Sequence, residues 1–587
     1  MMLVATLAFA TPFYDPATPA AIFEDRECYT QDGDIRLWAR IERHEDPDRI
    51  LFAAEAFNNN TAWPAQSDYA PWIDDAFGTT TPHSSAFLLH AGPGLSSARG
   101  TPILMVPGAG DNGSRGFVTM ATRYDLDGRP VFAMTFAHPH GDVFRHAEAV
   151  ADAIARVKEL TGAAKIDVVA HSKGGVELAT YLSNHAGAEW GDTDTALAYA
   201  AVGTEYRGDV RRAVFIATPL GGVDTGFRWS SSNYYSLSAD DALSPVSWNT
   251  YYPYTTANWA VTTSLAEQDF LPEDGDLFPG QRQVLRRQDH ALPGSDPTLG
   301  IYALQQDWYT TYEGGTGFYS TSDGIDVAIA AGGSLMDTLA LNGIDPGVEL
   351  FVLAGTNPLM PNGTFDWLAT LFGEALIDMA TEDLDTWADF LASLVGDGLV
   401  AQGVTEGELQ GLVAGKLTLG EVSGESDGLV FLDSATAVER VGARGAVVRE
   451  VKTVNLSHVD LLYASPVTGA LMIEAALANP EEDGWLEPVG ERYTEADTLG
   501  WIEGVLADAD TGGDTGGDTD TGGDTDDTDD TDTDAPDTDP SDTDPLDLDG
   551  RDGGGFGGCE GCNGAGGAGV AAWGVTLAVA MTRRRRA

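Results

Sequence analysis

Short apolar runs alternate along the middle of this chain with longer stretches whose apolar positions recur every three or four residues. The runs at 102–106 (P-I-L-M-V), 131–136, 166–169 and 210–216 are too short for helices and show little polar alternation, the pattern of strands buried on both faces. Between them, 143–160 has helical spacing, and Gly174 and Gly175 open a second amphipathic stretch. This alternation predicts an α/β architecture, a mostly parallel sheet with helices on both faces. Ligands of such sheets bind outside the carboxyl ends of the strands. Three glycine-bearing turns fall at such ends: P-G-A-G-D at 107–111, A-H-S-K-G-G at 170–175 and A-T-P-L-G-G at 217–222.

Before residue 100 the pattern is mixed, with one further strand expected over 50–54. After 222 the rhythm fails. An insertion over about 223–346, crowded with aromatics between Tyr234 and Trp259, reads as a cap, with helical spacing returning near 326–341. Its apolar residues either meet a greasy substrate or form the cap's own core. Strand character resumes at 348–353, a second and largely helical insertion occupies about 357–418, and a last strand is expected at 447–451. The globular domain therefore spans 21–506, with both caps inserted in it.

Composition changes the picture at the two ends. The chain has 587 residues, 43% of them hydrophobic, which is enough for a large core. Its formal charge of −59 leaves no basic surface to meet phosphates and excludes a nucleic-acid partner. Much of that charge sits at 507–549, an Asp/Thr/Gly/Pro tract without Lys or Arg. Such a tract cannot bury a core and reads as a disordered linker. Its D-T-D repeats lack the spacing of an EF-hand loop, so calcium is assigned to no residue.

Residues 550–587 combine G-G-C-E-G-C-N-G around Cys559 and Cys562, an apolar stretch at 568–581 and an arginine cluster at 583–586. Together these read as a sorting and anchoring segment. The apolar part alone is shorter than the roughly 20 residues of a membrane span, though the preceding glycines and alanines extend it. At the other end, residues 1–20 read as a truncated export signal, because the apolar start closes on Ala8-Phe9-Ala10, a small-x-small cleavage pattern. The alternative is a first buried segment. Cys28 completes a set of three cysteines, too few for a disulfide framework.

Ser172 lies between the 166–169 strand and the following helix. A serine on such a turn is forced out of the sheet, but as a nucleophile it needs a base, an acid and an oxyanion site. The alternative role is an ordinary helix cap. Among ten histidines, His458 in N-L-S-H-V-D-L-L follows the last strand and is the candidate base. His171 is expected to point away and act structurally, while His138 and His140 either line the pocket or belong to a polar loop. Two S-D-G segments offer the acid. Asp427 follows the resumed strand and precedes His458, and Asp323, inside the first insertion, is the fallback; both keep the order Ser, Asp, His. The oxyanion hole calls for two backbone N–H groups, one from Lys173 and one from the turn at 107–110, for which Ala109 is chosen. Gly108, Gly110 and Gly174 keep those turns free of bulk. Neither G-x-x-x-x-G-K-[ST] nor H-E-x-x-H occurs, which removes the phosphate-loop and zincin readings.

A-H-S-K-G-G resembles the nucleophile turn of bacterial triacylglycerol lipases and esterases of the α/β-hydrolase superfamily, where alanine commonly replaces the first glycine. P-I-L-M-V-P-G-A-G resembles their oxyanion strand and loop, with Pro107-Gly108 where histidine-glycine is usual. A-T-P-L-G-G departs from the family at Leu220, and S-D-G-L-V and S-H-V-D-L-L resemble the acid and histidine segments. The resemblance implies an α/β-hydrolase fold and a Ser172–His458–Asp427 triad acting on ester or lipid substrates. It requires no cofactor, and some branches carry a structural calcium, here unassigned. The tail resembles the surface-sorting signals of myxobacteria. That implies export and surface-sorting machinery as partners, envelope or membrane association through the C-terminus, and Cys559 or Cys562 as the point of processing or lipidation. The competing readings are a short-chain esterase or polyester depolymerase with the same triad, and a non-catalytic surface binding protein on a hydrolase scaffold.

Overall fold

The computed structural model describes residues 18–24, 38–53, 76–79, 82–93, 95, 99–113, 116–126, 128–224, 279–288, 290, 315–316, 321–322, 324–361, 403–414, 416–421 and 424–507. Nine strands make one sheet: β1 Ala21–Glu24, β2 Arg40–His44, β3 Phe87–Ala91, β4 Ile103–Val106, β5 Val131–Phe136, β6 Ile166–His171, β7 Val210–Ile216, β8 Glu349–Gly355 and β9 Val447–Val454. Their order is β1-β2-β3-β5-β4-β6-β7-β8-β9. From β5 to β9 all neighbours are parallel, and β1, β2 and β3 add an antiparallel edge. This is the α/β-hydrolase fold expected from the sequence.

Period-two alternation divides the core. Leu104, Val106, Phe132, Met134, Val168 and Ala170 belong to one buried cluster, with helices α2 (Val143–Thr161) and α3 (Lys173–Ser183) on that face. Ile103, Met105, Val131, Ala133 and Val169 belong to the other, shared with α1 (Val118–Leu126) and the C-terminal helices α4 (Pro466–Ala478), α5 (Leu486–Ala496) and α6 (Thr498–Leu506). Each Val, Leu, Ile, Phe or Met among them, fully buried, contributes roughly 1.5–3 kcal/mol. Helix α2 starts where the Asp142 carboxylate caps the N–H groups of Phe144 and Arg145, and it stops at Gly162, whose φ of 70° closes the last turn.

The expected strand over 50–54 is a helical turn, Ile50–Ala53. A four-residue apolar run fits either structure. Here Arg49 decides, because its guanidinium bonds Asp46 at 3.1 Å, Glu148 at 2.8 Å and Asp152 at 2.9 Å, fixing the turn against α2.

In the first insertion, the described parts include the turn Pro279–Gln283 and two helices, Ile325–Ala331 and Leu335–Asn342, where one helical stretch was expected. Gly332 and Gly333 separate them. The second insertion is closed at its base, where Leu359–Pro361 pairs antiparallel with Leu417–Leu419. The 234–259 aromatics, the linker from 508, Cys559, Cys562, the 568–581 stretch and residues 1–17 lie outside the described residues. Among the described residues no helix is long and apolar enough to cross a membrane.

Candidate active site

Ser172 sits at the end of β6 with φ 52° and ψ −127°, a left-handed backbone that a non-glycine residue adopts only when its surroundings force it. Its N–H bonds the Ile216 carbonyl at 2.8 Å, tying the turn to β7. The Ser172 hydroxyl makes no capping bond to α3, so the helix-cap alternative does not describe it.

Two glycines allow this turn to pack against the loop after β4. A Cβ on Gly108 would lie 2.8 Å from the Ser172 Cβ, and one on Gly174 would lie 2.4 Å from the Pro107 carbonyl oxygen. The P-G-A-G loop therefore runs directly beside the serine, with Ala109 between Gly108 and a left-handed Gly110 (φ 70°), while Lys173 is the first residue of α3. Behind this loop, the Thr135 hydroxyl accepts the Gly113 N–H at 3.0 Å and pairs with His90 Nε2 at 2.8 Å. Burial pushes His90 down to about 3, which keeps that imidazole neutral.

The acid and the base are joined. His458 Nδ1 lies 2.8 Å from Asp427 Oδ2. The other carboxylate oxygen accepts the N–H groups of Leu429 at 3.0 Å and Val430 at 2.8 Å, and the Asp427 carbonyl accepts the His458 N–H at 2.9 Å. Asp427 is wholly buried. Gly355 at the end of β8 admits this loop, since a Cβ there would lie 3.0 Å from the Asp427 Cβ. Asp323 lies outside the described residues.

His171 links the pair to the serine turn. Its Nε2–H donates to the His458 carbonyl at 3.0 Å, and the two rings are 4.7 Å apart. It is structural as expected, yet it faces the site rather than pointing away. Burial, together with the neighbouring His458 imidazole, lowers it to about 4, leaving a neutral imidazole fixed as a donor. His140 lies at the rim against the first insertion, where Gln281 Nε2 meets its Nδ1 at 2.7 Å, and His138 is buried beside it.

Sequence reasoning missed the anchoring of the histidine loop. Asp460 accepts the Ser457 hydroxyl at 2.7 Å and the Tyr493 hydroxyl at 2.7 Å, tying the loop to α5. Burial raises Asp460 to about 6. The S-x-x-D spacing from Ser457 to Asp460 was the available signal; Tyr493, thirty-three residues beyond Asp460, carries none. Among the described residues no group of three or more His, Cys, Asp or Glu side chains is placed to hold a metal ion, so the calcium expectation gains no ligand set there.

The family described as lipase (class 2) matches residues 100–194, the stretch holding the P-G-A-G loop, Ser172 and α3. No curated protein matches the chain. Among solved structures, a Bacillus licheniformis lipase in its mature form is 13% identical, with 66% of this chain and 96% of that one covered at a TM-score of 0.27. A thermostable carboxyl esterase from Bacillus coagulans, solved with glycerol, is 11% identical, covering 47% of this chain and 76% of that one at a TM-score of 0.22. The family match over the serine turn supports ester hydrolysis in general as the activity of this chain.

Proposed function

We propose that this protein is a serine hydrolase of carboxylic esters, acting on lipid esters through a covalent acyl-enzyme. The observation that carries the reading is the 2.8 Å bond between His458 Nδ1 and Asp427 Oδ2, in a loop bonded by His171 to the turn of a serine whose hydroxyl serves no helix cap. Asp427 holds the Nδ1–H tautomer, leaving Nε2 of His458 as the base. Ser172 Oγ attacks the ester carbonyl and its proton passes to His458. The backbone N–H groups of Lys173 and Ala109 bind the tetrahedral oxyanion. His458 returns the proton to the departing alcohol, and water then attacks the acyl-enzyme with the same groups, releasing the acid and restoring Ser172. No step uses a cofactor or metal.

Export and retention at the cell surface belong to the same proposal and rest on the C-terminal pattern of Cys559, Cys562, apolar stretch and arginine cluster. Removal of residues 550–587 should release active protein into the medium, and retention of the truncated chain would remove that part.

The test of the activity is a series of p-nitrophenyl esters from acetate to palmitate plus an emulsified triglyceride, with wild type and Ser172→Ala. Turnover that rises with chain length and includes the emulsion supports a lipase, whereas a maximum at acetate or butyrate replaces it with a short-chain esterase. Ser172→Ala should lose at least about 10⁴-fold in kcat with the melting midpoint unchanged. Retention of most activity would remove the serine mechanism and leave the binding-protein reading.

A further inference from the structure

Beneath the serine turn lies a second buried set of ionisable groups that the mechanism above does not use. Lys173 Nζ bonds Glu177 Oε1 one helical turn on and approaches His146 Nδ1 of α2 at 3.1 Å, while His146 Nδ1 lies 2.7 Å from the same Glu177 oxygen. All three side chains are almost completely buried. Burial alone would raise Glu177, but Lys173 and His146 outweigh it and hold the carboxylate ionised. His146 is immobilised in turn. Its ring stacks on Phe136 at the end of β5, 4.0 Å between centroids and 4° from parallel, and a Cβ on Gly141 would come within 2.6 Å of its Nε2. From the first insertion, Gly280 closes the remaining space, since a Cβ there would lie 2.1 Å from Lys173 Cε. The lysine therefore cannot swing out to solvent without moving the turn Pro279–Gln283.

Stability does not explain such a cluster. Replacing a buried ion pair with apolar side chains of similar size is often neutral or stabilising, and the neighbours on α3 are apolar. What distinguishes the site is its place in the chain. Lys173 is the residue after the serine, and its own backbone N–H is one of the two donors to the oxyanion. We propose that Lys173, Glu177 and His146 form a buried positioning set that fixes the first turn of α3, and with it the Lys173 N–H, at the angle the tetrahedral intermediate needs. The lysine side chain acts as a strut from the oxyanion donor to α2 and β5. None of the three side chains touches substrate; they act by positioning the Lys173 N–H. The proposal rests on the ester-hydrolase reading.

The test compares full-length wild type with Lys173→Met/Glu177→Leu, in which both charges go and no buried charge is left unpaired. Three quantities are measured: kcat and KM for a p-nitrophenyl ester, the inhibition constant of an alkylboronic acid that forms a tetrahedral adduct on Ser172, and the melting midpoint. The expected result is a midpoint close to wild type, a kcat lower by about 10- to 100-fold, KM within about twofold, and boronic acid binding weakened in parallel with kcat. Glu177→Gln, which keeps the volume and one acceptor, should show a smaller loss in the same two quantities and serves if the double variant does not fold. Unchanged kcat and unchanged boronic acid affinity in either folded variant would overturn the proposal, as would a loss confined to KM. If wild type neither turns over the ester nor binds the boronic acid, the ester-hydrolase reading itself falls and takes this one with it.

Discussion

Two buried carboxylate–imidazole pairs flank Ser172, and by bond length alone they are equivalent: Asp427–His458 at 2.8 Å and Glu177–His146 at 2.7 Å, each through Nδ1. Their surroundings differ. The Asp427 pair is carried by loops at the carboxyl rim of the sheet, its second oxygen held by backbone N–H groups, and His171 ties His458 to the serine turn. The Glu177 pair is carried by two helices, shares its carboxylate oxygen with a lysine, and has its imidazole pressed flat on Phe136. A carboxylate beside a histidine is therefore not a catalytic signature in itself. A base needs a free ring nitrogen at the rim where the nucleophile emerges, whereas a strut needs to be walled in.

The strongest way to break this contrast is to remove each carboxylate's charge in turn. Asp427→Asn turns an amide N–H toward His458 Nδ1, forces the wrong tautomer, and should lower kcat by about 10⁴-fold. Glu177→Gln should cost at most about tenfold. Comparable losses at both positions would erase the distinction.

Stability should reverse the ranking. In Asp427→Asn the oxygen facing the Leu429 and Val430 N–H groups is retained, so urea unfolding should change by about 1–2 kcal/mol at most. Glu177→Leu strands the buried Lys173 ammonium and should cost about 3–5 kcal/mol, most of it recovered by adding Lys173→Met. A larger loss at Asp427 than at Glu177 in the same unfolding series would contradict the assigned roles.

The smallest expected effect is the pH dependence of folding. Burial lowers His90 and His140 to about 3 and His171 to about 4, and lowers His44, His83, His138 and His146 in the same direction. Unfolded, these rings take up protons near 6.5 while the folded rings stay neutral, so the unfolded state binds more protons and stability falls as pH drops from about 7 toward 4. Asp152, raised to about 7, Asp460, raised to about 6, and Glu148, also raised, act with the opposite sign because their folded forms take up the proton first. Seven imidazoles against three carboxyl groups leave a net loss toward acid. Urea midpoints that rise from pH 7 to pH 5 would show that the carboxyl groups dominate.

How much of this was legible in the sequence follows the same division between rim and interior. Strands 131–136 and 210–216 match the sequence to the residue, because 131–136 is an almost unbroken apolar run and 210–216 ends in one, A-V-F-I. The rim turns were legible because glycine is required where the loop at 107–110 meets Ser172, and the structure brings Asp427 and His458 together as the chain order suggested. The antiparallel edge was not. In R-I-E-R-H at 40–44 the inward positions include Glu42 and His44, satisfied by Arg156 and by each other, so no apolar alternation marks the strand. The Lys173 strut was invisible for the same reason. A lysine and a glutamate four apart on a helix normally read as a solvated pair, and only the fold places α2 and residue 280 over them.

The central claim is that Ser172 is made nucleophilic by His458 and Asp427, and mapping the adduct of a fluorophosphonate on intact protein tests it most directly. The account predicts a single adduct on Ser172, formed at least about 10³-fold more slowly in His458→Ala and Asp427→Asn, both still folded. An adduct on another residue, or labelling of folded His458→Ala at the wild-type rate, would contradict it.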